Sequence, residues 1–269
     1  MRVLVISDME GVSGICRWEQ VTGGNPQFDE ARRLYTEEIN AAVRGARAAG
    51  ATEVVVMDCH GAGEGWSFNS LVADLLDPGC EWVVQNEWTE YTAFLEEGCD
   101  AALLIGMHAR AGTPDGVLSH TVSGTDWRNL WFNGQPVGET GINAALCGQW
   151  GCPVVMVSGD RATCAEATSL LGSGVAAVEV KEGLGRYSAR HIPPTRARSL
   201  IAQAAEKALG TDLRPQPFVP ESPCEIKVEL ALSDGAERWS HKDGVAMLDS
   251  RTVVSTGAEW WTAWRRLYL

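Results

Sequence analysis

Four residues of metal-binding type stand at the ends of three apolar runs. Arg2 to Ile6 (RVLVI) runs into Ser7-Asp8-Met9-Glu10, Glu53 to Met57 (EVVVM) into Asp58-Cys59-His60, and Ala101 to Met107 (AALLIGM) into His108. Carboxylate and imidazole are donors that a catalytic divalent ion takes. Asp8 and Glu10 are two apart, so along an extended chain both side chains leave one face. Such a pair can hold one ion, or one of its carboxylates can bridge two. Acidic residues are also common in solvated turns, and a lone histidine at a strand end is more often hydrogen-bonded than ligating. Here two of the chain's five histidines occupy equivalent strand ends beside the Asp-x-Glu pair, and together they favour a metal.

Other residues leave alternatives open. His120, in Leu118-Ser119-His120-Thr121, is a further ligand, a general acid or base, or a polar residue on a solvated strand. Glu139, where a helix is expected to begin, either returns a carboxylate to the site or answers the helix dipole. Arg110 can meet a substrate carboxylate or a developing oxyanion, or it can pair with an acidic neighbour. Asp58, two residues before His60, is placed to support it. Cys59 points to the opposite strand face from His60 and is not counted as a ligand.

The elements that must carry these residues follow from the pattern. Short, continuous Val/Ile/Leu runs mark strands buried on both faces, as in a parallel sheet covered by helices, and ligands bind at the carboxyl ends of such strands. A helix is predicted from Asp29 to Ala49, with Gly50 as its stop, giving a βαβ unit with the strands on either side. A short helical stretch near Leu71–Leu76, a strand around Glu81–Val84 and a helix around Thr89–Glu97 lead to the third apolar run. Val117–Val122 and Asn129–Phe132 read as extended, with Asn133-Gly134 a hairpin turn signal. A helix from Gly138-Glu139 to Trp150, a strand Pro153–Val157, a helix from Thr163, a strand Val175–Val180 and a helix Thr195–Leu209 follow. The Pro-rich stretch Leu213–Pro223 reads as a linker, then comes an alternating strand from Glu225 to Leu230 and an amphipathic helix from Gly257 to Leu267. The expected fold is α/β: a mostly parallel sheet flanked by helices, a β-hairpin insertion, and a smaller C-terminal α+β part. Residues 1–212 would form the catalytic domain and 213–269 the subdomain.

Composition narrows the function. The 269 residues carry a net charge of -13, which argues against nucleic acid, where Lys and Arg must neutralise phosphate. No stretch approaches a membrane span. The first apolar run is too short for a signal peptide, so the cytoplasm is expected. The eight cysteines form no CxxC pair and read as reduced, mostly buried thiols. Gly61-Ala62-Gly63-Glu64-Gly65 follows a strand but is not the GxGxxG of a dinucleotide loop. Gly11-Val12-Ser13-Gly14 is not the GxSxG elbow, and HExxH is absent.

Taken in order, these segments resemble the D-aminopeptidase family of zinc metallopeptidases, known from bacterial dipeptide-utilisation operons. The likeness runs through Ser7-Asp8-Met9-Glu10-Gly11-Val12-Ser13-Gly14, Thr36-Glu37-Glu38, Asp58-Cys59-His60, Gly106-Met107-His108-Ala109-Arg110-Ala111, Ser119-His120, Asn133-Gly134-Gln135-Pro136-Val137-Gly138-Glu139 and Pro153 to Asp160. The resemblance implies a two-zinc site with Asp8, Glu10, His60, His108 and Glu139 as ligands, Asp8 bridging, and His120 as the catalytic histidine. It also implies a ring-shaped homo-oligomer, a decamer, with enclosed active sites. Against the family pattern the loop from His60 to Leu71 is longer and carries Trp66, and the loop from His108 to His120 is one residue longer near Asp115, so the expected departures fall in the pocket and not among the metal residues.

The expected function is therefore hydrolysis of the N-terminal residue from short peptides or amino-acid amides, D-alanyl substrates included. Two other readings use the same residues: a metal-dependent amidase or phosphoester hydrolase acting on another small molecule, and a non-catalytic protein with a structural metal. Structural zinc is usually closed, four-coordinate and often cysteine-bound, and five carboxylate and imidazole candidates fit an open catalytic site better.

Overall fold

A computed structural model of the chain describes residues 1–268 except 64, 86–90, 212 and 240. In chain order the elements are β1 (Arg2–Ser7), α1 (Trp18–Val21), α2 (Pro26–Ala48), β2 (Glu53–Asp58), β3 (Glu81–Val83), α3 (Ala93–Glu96) and β4 (Ala101–Met107). There follow β5 (Trp127–Phe132), β6 (Gln135–Pro136), α4 (Glu139–Gln149), β7 (Val154–Asp160), α5 (Arg161–Leu171), β8 (Ala176–Gly185), β9 (Ser188–His191) and α6 (Pro194–Leu209). The last part holds β10 (Cys224–Leu230), α7 (Ser233–Trp239), β11 (Val245–Met247), β12 (Thr252–Gly257) and α8 (Trp260–Tyr268).

The main sheet has the order β3-β2-β1-β4-β7-β8-β9. Every pairing in it is parallel except β8 with β9. Alternate residues of β1 go to opposite cores. Val3 and Val5 pack with α2 and α6 on one face, whereas Leu4 and Ile6 pack with α4, the second sheet and α8 on the other. Burial on both faces is why these strands are apolar throughout. The second sheet, β11-β12-β10-β5-β6, is antiparallel. It joins the hairpin insertion to the C-terminal strands through β5 and β10. The hairpin turns on Asn133 and Gly134, with φ of 48° and 80°, the left-handed pair that a two-residue turn between twisted strands requires.

The elements differ from the sequence expectation in a few places. Helix α2 begins at Pro26 with Asn25 as N-cap, because proline suits the first helical position, where its missing N–H is not needed. The stretch near Leu71–Leu76 forms only a 3-10 turn, Ala73–Leu75. The helix expected around Thr89–Glu97 is helical over Ala93–Glu96, and residues 89 and 90 lie outside the described residues. Residues 117–122 are not extended. Leu118 and Val122 have φ of 51° and 61°, and the N–H groups of Val117 and Val122 go to the carboxylates of Asp160 and Glu139 instead of to a neighbouring strand.

One close approach fixes the sheet edge that matters. The Asp8 N–H donates to Ile105 O and the Gly11 N–H to Gly106 O, each at 2.8 Å, so the loop after β1 lies along the end of β4. Gly106 has φ of 73°, and a side chain there would run into the Asp8 carbonyl; one at Gly11 would run into the Met107 carbonyl. Gly106→Ala is therefore expected to cost about 3 kcal/mol through backbone strain and collision. That should appear in thermal denaturation as a fall in Tm on the order of 6–12 °C. An unchanged Tm would mean that the two segments need not touch.

Candidate metal centre

Four elements deliver the predicted residues to one place. The loop after β1 brings Asp8 and Glu10, the end of β2 brings His60, the end of β4 brings His108, and the first turn of α4 brings Glu139. His120 arrives on the loop between β4 and β5. Asp8 is central. His60 Nδ1 lies 3.2 Å from Asp8 Oδ1 and 3.1 Å from Glu10 Oε2. His108 Nε2 lies 3.2 Å from Asp8 Oδ2 and 3.2 Å from Glu139 Oε1. The two oxygens of one carboxylate thus face two different histidines, each histidine sharing a second carboxylate.

Each imidazole is held through its other nitrogen. His60 Nε2 lies 2.7 Å from Val21 O, His108 Nδ1 lies 3.0 Å from Ala109 O, and His120 Nδ1 lies 2.9 Å from Leu118 O. A carbonyl only accepts, so each of these nitrogens carries a proton, and the opposite nitrogen is the one left to face the carboxylates and to ligate a cation placed among them. Fixing the tautomer in this way is what metal-ligating histidines require. Asp8 Oδ2, Glu10 Oε2 and His108 Nε2 are buried and have no hydrogen-bond partner. Convergent lone pairs shielded from water are costly unless a cation lies between them, so the residues fit a divalent ion. Asp8, Glu10 and His108 form one group of ligand atoms within metal-binding reach, and His108, His120 and Glu139 form another.

Charges in the cluster respond to one another. Burial alone would raise the Asp8 carboxyl, but contact with His108 and His60 holds it well below the usual range. Burial opposes charge on His60 and His108, yet Glu10 and Asp8 around the first, and Glu139 and Asp8 around the second, raise both imidazoles well above their ordinary value. His120 goes the other way: burial, then the charge of His108, lowers it. The rings of His108 and His120 are stacked, 4.0 Å between centroids and 13° between planes. A nitrogen lone pair lies in its ring plane, so one ion cannot sit in the planes of both stacked rings. His120 Nε2 lies 3.8 Å from Glu139 Oε1 and would stand beside an ion held by His108.

Several residues outside the cluster support it, Asp58 as its place before His60 suggests and Lys181 with no sequence signal of its own. Asp58 accepts hydrogen bonds from the Tyr35 hydroxyl at 2.8 Å, the His60 backbone N–H at 3.0 Å and the Ser70 N–H, so it fixes the backbone beneath His60. Lys181, fully buried in β8, donates to the carbonyls of Glu10, Val12 and Ile15 and gathers the loop that carries Glu10; burial lowers its ammonium to about 8. Glu38 on α2 accepts from the Ser13 N–H of the same loop at 3.0 Å. The Arg110 backbone N–H is bonded to Glu166, and its side chain does not line the cavity. That cavity, about 280 Å³, extends from the carboxylates to a wall that includes Trp260, Trp261 and Trp264 of α8. The amphipathic pattern from Gly257 to Leu267 marks α8 as a packed helix but does not reveal that it faces the site.

The chain is similar to known D-aminopeptidases in sequence and in fold. The model of the peptidase family M55, D-aminopeptidase, matches residues 1–269. A D-aminopeptidase of Bacillus subtilis (strain 168) is 31% identical over 264 residues, covering 96% of this chain and 92% of that protein. A solved structure described as the Zn-dependent D-aminopeptidase DppA from Bacillus subtilis, a self-compartmentalizing protease, superposes with a TM-score of 0.90 at 28% identity. It covers 99% of this chain and 95% of the other.

The loop's support has a measurable pH signature. Burial raises the Glu38 carboxyl from 4.5 to about 7, so between those values the folded chain keeps a proton that the unfolded chain has released. The stability linked to that proton is complete below pH 4.5 and is lost as pH rises through 7. The loss is on the order of 3 kcal/mol. Glu38→Gln keeps the acceptor for Ser13 and removes the ionisation. Urea unfolding should find the variant more stable than the parent at pH 8, with the gap closing by pH 5. A constant difference across that range would show that Glu38 does not titrate there.

Proposed function

The chain belongs to the D-aminopeptidase family and is a metallo-aminopeptidase, and on that footing we propose that it works through two zinc ions with Asp8 shared between them. The placement of the Asp8 oxygens carries the reading. One ion would be held by Asp8 Oδ1, Glu10 and His60, the other by Asp8 Oδ2, His108 and Glu139. Zinc bound there supplies Lewis acidity, polarising the scissile carbonyl and lowering the pKa of water toward 7.

The remaining work falls to residues of the chain. His120 keeps its Nδ1 proton on Leu118 O, so its free Nε2 takes the proton of the attacking water and returns it to the leaving amine. A lowered pKa keeps that imidazole neutral and ready to accept. Asp8, Glu10 and Glu139 give the cavity negative charge, and among the described residues no lysine or arginine lines it. That lining suits a substrate with a free amine better than a phosphate ester, and an amine held beside the carboxylates limits cleavage to the first residue. Short peptides or amino-acid amides are the substrates, with D-alanyl compounds among them as in the family. Assembly as a ring-shaped decamer is part of the same reading, supported by the self-compartmentalizing description of the related structure. The cytoplasm is its proposed location; the eight cysteines are free, as a reducing compartment keeps them, and no described helix is long and apolar enough to cross a membrane.

Metal analysis should find two zinc ions per chain, with hydrolysis of matched D- and L-aminoacyl amides abolished by chelation and restored by zinc. Failure to cleave any of these amides with the metal fully loaded would overturn the aminopeptidase reading. His120→Ala should keep its zinc and lose about 10²- to 10⁴-fold in kcat, and a fully active variant would remove His120 from catalysis.

A further inference from the structure

Helix α4 has one face on the cavity. Glu139, Ile142, Asn143 and Leu146 all line it, and their spacing of three, four and seven residues is that of a single helical stripe. The stripe begins at a carboxylate of the metal cluster and turns apolar within one turn, about 5 Å along the axis. Helix α8 continues the apolar surface. Trp260 and Trp264, four apart, are stacked with centroids 5.5 Å apart. Trp261 packs edge-on against Trp150 at 5.2 Å. Trp260, Trp261 and Trp264 all line the same cavity. Within this wall Asn143 brings a polar amide to the cavity, with 6% of its surface exposed.

We propose that Ile142, Leu146, Trp260, Trp261 and Trp264 form a subsite for the side chain of the substrate's N-terminal residue, and that the enzyme selects large apolar residues, of leucine or phenylalanine size, over alanine. The inference rests on the aminopeptidase reading above. In any such substrate the free amine and the scissile carbonyl flank one Cα, and both must lie beside the metal cluster. The side chain on that Cα therefore meets the cavity wall, and Ile142, one helical turn from Glu139, begins the apolar side of it that α4 and α8 build. Asn143, on the same turn, meets the polar backbone of the substrate. The cavity is near the lower end of small-molecule pockets and holds an aminoacyl group better than an extended peptide.

Binding and turnover test this separately. Alaninol and leucinol are amines without a scissile bond. Titrated into the zinc-loaded enzyme and followed by tryptophan emission, leucinol should bind about tenfold or more tightly than alaninol, as burial of its extra methyl and methylene groups requires. The kcat/KM for leucinamide and phenylalaninamide should exceed that for alaninamide by a similar factor in whichever enantiomer is cleaved. Trp261→Ala and Ile142→Ala, which open the wall from opposite sides, should each lower the leucine-to-alanine ratio several-fold while zinc content stays that of the parent. Equal or tighter binding of alaninol, or an unchanged ratio in both variants, would overturn the subsite. Preferential binding of leucinol with no amide cleaved would support the subsite and overturn the aminopeptidase reading instead.

Discussion

Three carboxylates, the buried Asp8 and Glu10 and the half-buried Glu139, are held together at the edge of one cavity. Left alone they would repel one another and lose their hydration, a combination that proteins relieve by protonation, pairing or metal binding. The rest of the fold works to keep them there. A parallel sheet buried on both faces brings three strand ends to one edge, and a glycine on each side lets two of those ends touch through their backbones. The helix dipole of α4 favours Glu139 at its first turn. Imidazoles then divide the negative charge into two compartments, with the Asp8 carboxylate common to both.

Around that cluster, the hydrogen bonds go mostly to backbone. His60, His108 and His120 are each oriented by a carbonyl, and the loop after β1 is gathered by Lys181 from below and Glu38 from the side. Backbone partners carry no residue preference, so the ring orientations survive side-chain changes in the supporting segments. The stacking of His108 on His120 has a further effect. Two chemically identical side chains thereby differ in basicity: the carboxylates of Glu139 and Asp8 raise His108, whereas burial and the charge of His108 lower His120.

The parts legible in the sequence are those in which local pattern and tertiary role coincide. Asp8, Glu10, His60 and His108 follow apolar runs that can only be buried strands, so their common edge can be read without coordinates. The Asn133-Gly134 hairpin is equally local, because its turn demands left-handed residues. Glu139 was ambiguous because a helix dipole attracts a carboxylate whether or not a metal does. Residues 117–122 were misread as extended because their hydrogen-bond partners, Asp160 and Glu139, lie far along the chain. Lys181 gave no warning at all: a lysine in a strand is normally a solvated edge, and its three carbonyl acceptors come from a loop some 170 residues earlier. The tryptophans of α8 announced a packed helix, and only the second sheet, which joins β5 to β10, turns that helix toward the metal residues.

The wall that α8 supplies is also separated in time from the cluster it encloses. During synthesis the last of the metal-type residues, Glu139, precedes Trp260 by 121 positions. At about 5–20 residues per second, the segments that carry these carboxylates and imidazoles precede their tryptophan cover by roughly 6–24 s. A nascent chain can therefore assemble its cation-binding edge while the cavity beside it is still open on one side. The cavity gains its tryptophan wall only once α8 has emerged.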